Sequence, residues 1–318
     1  MFPPMALEFN SVKFLLWSKN LGVSFERTLT LGHQGFNCPP AKFKRTLKDF
    51  GISATQDEIN RCFSHAPMTA LFADEFLRFL GAKEAASVDR SDFEGATLLH
   101  DLNERFPENV RGHFDMVVDG GTLEHIFNYP AALRNCLEVL RVGGHFATIT
   151  PASGQMGHGF YQFSPELFFR VFSAENGFAI RKLILFDLSK MESAFYEVKD
   201  PSITRQRGEL STSKPMQIAV LAQKIAEVPV FATLPQQSDY MAVWEKHQET
   251  NAPGHASHRS GLLQRVRVKL NPYWPFWLRR WRDTLKYRWQ HGLPSLNNHR
   301  HFRRLSLEEI CGERVSKK

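Results

Sequence analysis

Several features are missing from this chain of 318 residues, and each absence narrows what it can be. No stretch approaches the roughly 20 consecutive apolar residues that a membrane-spanning helix needs, so no span is expected. The opening MFPPMALEFNSVKFLLW lacks a basic n-region and a small-residue cleavage site, so no secretory signal is expected. Cysteine is scarce: Cys38, Cys62, Cys136 and Cys311 are scattered, with no CxxC pair. That pattern offers no disulfide frame and fits a reducing compartment, so a cytoplasmic location is expected. Thirteen histidines show no zinc-ligand spacing, and His299, His301 and Cys311 are too loosely placed to form a set. No metal is expected on these grounds. No internal repeat is visible.

Hydrophobic residues make up 42% of the chain, enough for one large domain or a domain with an appendage. Charge is unevenly placed. From Ala252 onward there are fifteen Lys/Arg and four Asp/Glu, a local charge of +11, so residues 1–251 carry −4 of the total +7. The basic character belongs to the tail, which suggests an appended segment with an anionic partner.

Seven apolar runs read as strands. They are FERTLTLG (25–32), EAASVD (84–89), ATLLHDLN (96–103), FDMVVD (114–119), HFATITP (145–151), FAIRKLILFDL (178–188) and MQIAVLAQKI (216–225). Between them lie helical patterns. The spacing of Phe9, Val12, Leu15 and Leu16 predicts a helix over 8–21. Two short helices fall within residues 38–67, and MTALFADEFLRFLGA (68–82) is an amphipathic helix stopped by Gly81. PAALRNCLEVLR (130–141) has Pro130 in its first turn and Gly143-Gly144 as its stop. SPELFFRVFSAENG (164–177) has Ser164 as N-cap and Pro165 at its first helical position. Such alternation argues an α/β protein with a doubly wound, mainly parallel sheet. The sixth and seventh strands lack an intervening helix and should pair antiparallel.

The stretch FDMVVDGGTLEH (114–125) sharpens this reading. A buried strand stops on Asp119, two glycines follow, and then a polar, helix-starting segment. Open α/β sheets place ligands at such carboxyl ends of strands. Asp89 and Asp101 end the second and third strands in the same way.

Residues 114–151, FDMVVDGGTLEHIFNYPAALRNCLEVLRVGGHFATITP, together with FSPELFFRVFSAENGF (163–178), resemble class I S-adenosylmethionine-dependent methyltransferases of the type 11-like kind. The resemblance spans about residues 25–225. It implies a Rossmann-like fold with a seven-stranded sheet, S-adenosyl-L-methionine as cofactor, and methyl transfer as the activity. It places Asp89 where the family has an acid accepting both ribose hydroxyls. A carboxylate does this bidentately with strong charge-assisted bonds. Asp101 and Leu102 match the adenine-framing position, and Asp119 and Gly120 match the position beside the methionine portion. The first motif departs from the family's acid and alternating glycines. Here TLGHQGF (30–36) has Thr30 for the acid and keeps Gly32, while Gln34 and Phe36 stand where glycines are expected. Gln34 could bond the carboxylate or amine of the methionine end. The insertion at about 38–67 is a lid or a plain helical insertion.

Methyl transfer is an in-line displacement from a good leaving group, so the protein must chiefly align reactants and exclude water. An alcohol or phenol acceptor also needs a base. The candidates are His125, His158 and Tyr161. His125 follows the fourth strand beside Glu124, where helix-start capping is the competing role. His158 and Tyr161 lie in GQMGHGFYQFSP (154–165), a glycine-rich loop after the fifth strand.

The expected domains are 1–225, the methyltransferase domain, and 226–318, a basic, Trp-rich, helical extension. In it Trp274, Trp277, Leu278, Trp281, Leu285 and Trp289 share a helical face, with Arg279, Arg280, Arg282, Lys286 and Arg288 beside or opposite. Three readings of 272–291 stand: docking on the protein itself or a second subunit, an anionic membrane surface, or nucleic acid. The function expected is methyl transfer to a small molecule, such as a saccharide or lipid-linked precursor. The alternatives are a non-catalytic scaffold on the same fold and an RNA methyltransferase.

Overall fold

The computed structural model describes residues 6–64, 72–251 and 275–313. Two compact units divide the chain. The first comprises 1–198, 212–235 and 304–318, and the second 199–211 and 236–303. The structure therefore divides the chain elsewhere than at residue 225: segment 199–211 groups with the tail, and the last residues return to the first unit.

The first unit starts with β1 (Ala6–Glu8) and α1 (Phe9–Asn20). Then come β2 (Arg27–Leu31), β3 (Gly35–Asn37), α2 (Pro40–Asp49), α3 (Gln56–Cys62) and α4 (Asp74–Leu80). The sheet continues with β4 (Glu84–Asp89), β5 (Leu98–Leu99) and β6 (Phe114–Asp119). After α5 (Tyr129–Glu138) follow β7 (Leu140–Ser153), α6 (Pro165–Val171), β8 (Phe178–Asp187) and β9 (Tyr196–Val198). The second unit contains α7 (Pro201–Thr204), and β10 (Met216–Lys224) belongs to the first. The second unit also holds α8 (Ser238–Asn251) and α9 (Phe276–His291). A final short helix, α10 (Leu307–Gly312), lies in the first unit.

In the first unit the strands order as β9-β8-β10-β7-β6-β2-β4-β5. From β5 to β7 all neighbours run parallel, while β10 is antiparallel to both β7 and β8, and β9 is antiparallel to β8. All seven expected strands are present, β8 and β10 pair antiparallel although β9 and the short α7 lie between them in the chain, and β9 adds a strand beside β8. The doubly wound α/β class is thus observed. The sheet grows in opposite directions from β2, towards β4 on one side and β6 on the other. That reversal makes the carboxyl ends of β2, β4 and β6 the topological switch point, where open sheets hold ligands.

Local chemistry explains these elements. Strand β6 is buried along its whole length, as its continuous apolar run requires of a strand covered on both faces. Ser164 caps α6 by accepting from the Glu166 N–H at 3.2 Å, and Thr55 caps α3 in a reciprocal box with Glu58. Helix α4 stops at Gly81, φ +113°, a left-handed turn that glycine adopts without strain; residues 68–71 of its expected range lie outside the described residues. Gly143-Gly144 do not stop a helix. Helix α5 ends at Glu138, and the glycines lie inside β7. A Cβ on Gly144 would stand 2.9 Å from the Arg141 carbonyl oxygen and 3.1 Å from those of Phe114 and Asp115, so only glycine admits that close approach.

The expected helical insertion is present as α2 and α3. Phe43 packs against Phe36 and Phe76 with ring centroids 6.1 and 5.9 Å apart, and all three are buried. Burial of each ring contributes about 2 kcal/mol. Above this cluster β1 pairs parallel with β3, setting Leu7 opposite Phe36.

In the second unit Asp200 caps α7, and Arg207 Nε donates to Asp239 Oδ2 at 2.6 Å. Helix α9 presents Trp277, Trp281, Leu285 and Trp289 as exposed side chains. Trp274 and the expected linker beyond Asn251 lie outside the described residues. Among the described residues no helix is long and apolar enough to cross a membrane.

Candidate functional site

The end of β2 is clamped to the end of β6. Thr122 Oγ1 donates to the Leu31 carbonyl at 2.7 Å, and Gln34 Nε2 donates to Thr122 Oγ1 at 3.3 Å and to the Leu31 carbonyl. Gly32 sits at φ +69°, a turn that a side chain would strain. Thr30, standing where an acid was expected, donates to the Gly32 carbonyl at 2.9 Å and so fixes the same turn. Asp89 ends β4 alongside. A Cβ built on Gly32 would lie 3.8 Å from Asp89 Oδ2 and 3.5 Å from Gln34 Nε2. Asp89 Oδ1 accepts from the Ser91 N–H at 3.2 Å. Its Oδ2 accepts no hydrogen bond among the described residues, and the side chain is half-buried. Gly32, Gln34 and Asp89 are therefore together, as the sequence led one to expect.

Gly120 joins them from below. A Cβ there would meet Gln34 Oε1 at 2.4 Å and Leu7 Cδ2 at 2.8 Å, so Gln34 and β1 already use the close approach that this glycine allows. Gln34 is 1% exposed, and its Oε1 is buried with no hydrogen-bond partner.

Asp101 stands nearby but is turned to its own loop. It accepts from the Asn103 backbone N–H at 2.9 Å and side-chain Nδ2 at 2.7 Å, and these donors hold its carboxyl below the ordinary range. Arg90 Nε lies 3.5 Å from its other oxygen. Leu102 is 4% exposed, its apolar surface already covered by protein.

Asp119 departs most from expectation. It is fully buried and faces no crevice. Its Oδ1 accepts from the Thr122 and Leu123 N–H groups at 2.8 and 3.3 Å, and its Oδ2 accepts from Thr148 Oγ1 at 2.6 Å. The physical reason is the 3₁₀ turn Leu123–His125, whose unpaired N–H groups need an acceptor that this strand-ending acid supplies. Three acids do not converge on one crevice: Asp89 and Asp101 stay at the surface, and Asp119 is internal.

Beside Asp119 lies a cluster that spacing alone did not disclose. Glu124 is 1% exposed. Its Oε2 accepts from Thr150 Oγ1 at 2.9 Å; its Oε1 has no hydrogen-bond partner and lies 3.5 Å from His158 Nε2. The His125 and His158 rings stand 5.1 Å apart. Burial, then repulsion from Asp119, pushes the Glu124 carboxyl up to about 8. Asp119 is raised as well, burial outweighing the bonds it accepts from Thr148, Thr122 and Leu123. Burial, then the neighbouring His158, lowers His125 and keeps its ring neutral. Segment 154–163 is bound to this turn: the Phe160 and Tyr161 N–H groups donate to the Glu124 carbonyl at 2.8 and 3.2 Å. The Tyr161 hydroxyl donates to the Phe127 carbonyl at 2.6 Å, a clasp that turns it from a free acid or base into a loop anchor. His125 and His158 are thus brought together, and Tyr161 stands apart from them.

Sequence reading also missed His33. Its Nε2 lies 2.8 Å from Asp74 Oδ2 and its Nδ1 2.6 Å from the Glu94 carbonyl. The bond to Asp74 raises His33 and lowers Asp74. Thr148 and Thr150 carried a signal that went unread: alternate hydroxyls on a buried strand demand polar partners on one face.

No family model matches the chain, and no curated protein matches it. Solved structures with similar folds include the Burkholderia thailandensis 1,6-didemethyltoxoflavin-N1-methyltransferase with bound 1,6-didemethyltoxoflavin and S-adenosylhomocysteine. It shares 12% identity over 69% of this chain and 78% of that one, TM-score 0.37. An S-adenosylmethionine-dependent methyltransferase from Mesorhizobium loti shares 14% over 65% and 95%, TM-score 0.33. The YcgJ protein from Bacillus subtilis shares 10% over 69% and 100%, TM-score 0.36. At these scores the likenesses add no weight to any functional reading, which rests on the chain's own residues.

Proposed function

We propose that this protein transfers a methyl group from S-adenosyl-L-methionine to a small-molecule acceptor. The observation that carries the reading is Asp89. It stands half-buried at the switch point, beside the left-handed Gly32 turn, with Oδ2 unpaired among the described residues. A carboxylate with a free oxygen next to a glycine turn suits a ribose diol. Gln34 Oε1, buried without a donor against Gly120, suits an ammonium or amide donor, so Asp89 and Gln34 carry the polar groups such a cofactor would need. That cofactor supplies an activated methyl group on a sulfonium. The protein's part is placement and proton handling. Asp89 and Gly32 hold the nucleoside side, Gln34 the amino-acid side, and the half-exposed His158 accepts a proton from an acceptor hydroxyl with Glu124 behind it.

The partner surface belongs to the same reading. On α9 the exposed Trp277, Trp281 and Trp289 lie among Arg279, Arg280, Arg282, Lys286 and Arg288, a composition suited to an anionic membrane surface. A saccharide or lipid-linked precursor is the acceptor that fits such a surface. Charge reversal at Arg279 and Arg280 should abolish sedimentation with anionic vesicles; undiminished sedimentation removes this element.

A second reading is favoured by one specific contact. Gln34 and Leu7 fill the space over Gly120, which suits a non-catalytic scaffold on the same fold. Calorimetric titration with S-adenosylmethionine separates the two. Methyl transfer requires saturable binding that weakens about tenfold or more in Asp89→Asn. Absence of heat, with no competition by S-adenosylhomocysteine, leaves the scaffold.

A further inference from the structure

We infer that Glu124, His125 and His158 form a binding site for one divalent transition-metal ion of the zinc class. One donor atom from each residue lies within 4.8 Å of the other two. Donors sharing a tetrahedral zinc at its usual bond lengths stand about 3.3–3.5 Å apart. Glu124 Oε1 and His158 Nε2 already stand 3.5 Å apart, the separation of two ligands on one such ion. The pair at 3.5 Å forms no hydrogen bond, and Oε1 is buried without a partner, an arrangement that a cation would complete.

The surroundings are built for fixed ligands. Thr150 Oγ1 holds the other Glu124 oxygen at 2.9 Å, the outer bond that orients a ligating carboxylate. His158 arrives from a distant loop that is bound to the Glu124 turn by the Phe160 and Tyr161 N–H groups. Gly159 makes that approach possible: a Cβ there would stand 2.8 Å from the Glu124 carbonyl oxygen and 3.1 Å from its Cγ. Two imidazoles and one carboxylate are borderline donors that suit Zn²⁺, Co²⁺ or Fe²⁺ better than Mg²⁺ or Ca²⁺. Three protein ligands leave a further coordination position, the mark of a reactive rather than a structural site. The His158 side chain is 48% exposed, so that position opens towards solvent. That the ion would bind an acceptor oxygen and lower its pKa, in place of a metal-free His158 acting as the base, rests on the methyltransferase reading. The site itself does not.

The test uses the full, tag-free chain, stripped with a chelator and titrated with Zn²⁺ by calorimetry and with Co²⁺ by visible absorption. One saturating equivalent is expected, with the intense d–d absorption of a low-coordinate Co²⁺ site. His158→Ala and Gly159→Ala should each weaken binding about tenfold or more, the first by removing a ligand and the second by pushing the loop away. His158 is half exposed, so its variant should fold; unchanged far-ultraviolet dichroism and melting of the stripped protein check this. His113→Asn, which alters a histidine paired with Glu84, should bind as the wild type does. Absence of saturable binding in the wild type overturns the inference, as does wild-type affinity in His158→Ala. A separate S-adenosylmethionine titration keeps the two proposals apart: metal binding without cofactor binding upholds this site and removes the methyltransferase reading.

Discussion

Asp115 and Asp119 sit on the same strand, β6, both buried, and the two ends of the sheet treat them differently. At the amino end Asp115 meets cations. Arg27 Nε lies 3.0 Å from Oδ2, the Arg27 backbone N–H donates to the same oxygen at 3.1 Å, and Arg141 Nε donates to Oδ1. Burial pushes this carboxyl up, but the bonds from Arg141 and Arg27 outweigh it and hold the group below its ordinary range. At the carboxyl end Asp119 meets only neutral donors, and the adjacent Glu124 keeps one oxygen without any. One end is electrostatically closed and reads as structure. The other leaves buried charge capacity open, which is where a polar or cationic ligand gains most.

The largest effect should come from breaking the closed end. Asp115→Asn leaves two guanidinium groups facing a neutral amide and should cost about 2–3 kcal/mol. That is near the low end for buried pairs, because both arginines keep partial solvent contact. Chemical denaturation measures it. Gly120→Ala should follow at about 1–3 kcal/mol, since the methyl must displace buried Gln34 and Leu7. Glu124→Gln is the same chemical exchange at the open end. Thr150 keeps its acceptor, so the change in stability should stay within about 1 kcal/mol. Equal losses in Asp115→Asn and Glu124→Gln would erase the contrast.

The smallest effects are in pH dependence. Burial, then Arg181 and Arg141, lowers His145 to about 4. Its folded value is depressed, so its contribution is fully present above the ordinary 6.5 and is lost as pH falls towards 4. His33 has the opposite sign. Raised by Asp74, it contributes fully below 6.5 and loses this as pH rises through its folded value. Asp74, lowered by the same bond, contributes above 3.8 and loses this as pH falls through its folded value. Melting midpoints of His145→Gln should therefore fall less than those of the wild type between pH 6.5 and 4.

Much of the fold was legible because buried parallel strands are written as continuous apolar runs: FDMVVD and MQIAVLAQKI have the expected bounds to within a residue. Gly143-Gly144 misled because glycine serves both helix stops and close strand approaches, and only the packing at Arg141 and Asp115 tells them apart. At the site, Asp89 and Gly32 were legible because strand ends fix where they point. Asp119 was misplaced because a strand-ending acid can equally turn inward to the N–H groups of the following turn. The Glu124–His125–His158 cluster was hidden because His158 is brought by a loop from the far side of β7, and local spacing carries no record of that.

Hydrogen exchange of the full chain with and without S-adenosylhomocysteine tests the contrast between the two sheet ends most directly. The account predicts slower exchange at 30–36, 89–92 and 119–125, with segments 113–115 and 140–145 at the amino end unchanged. Identical exchange in both samples, or protection confined to the amino end, would contradict it.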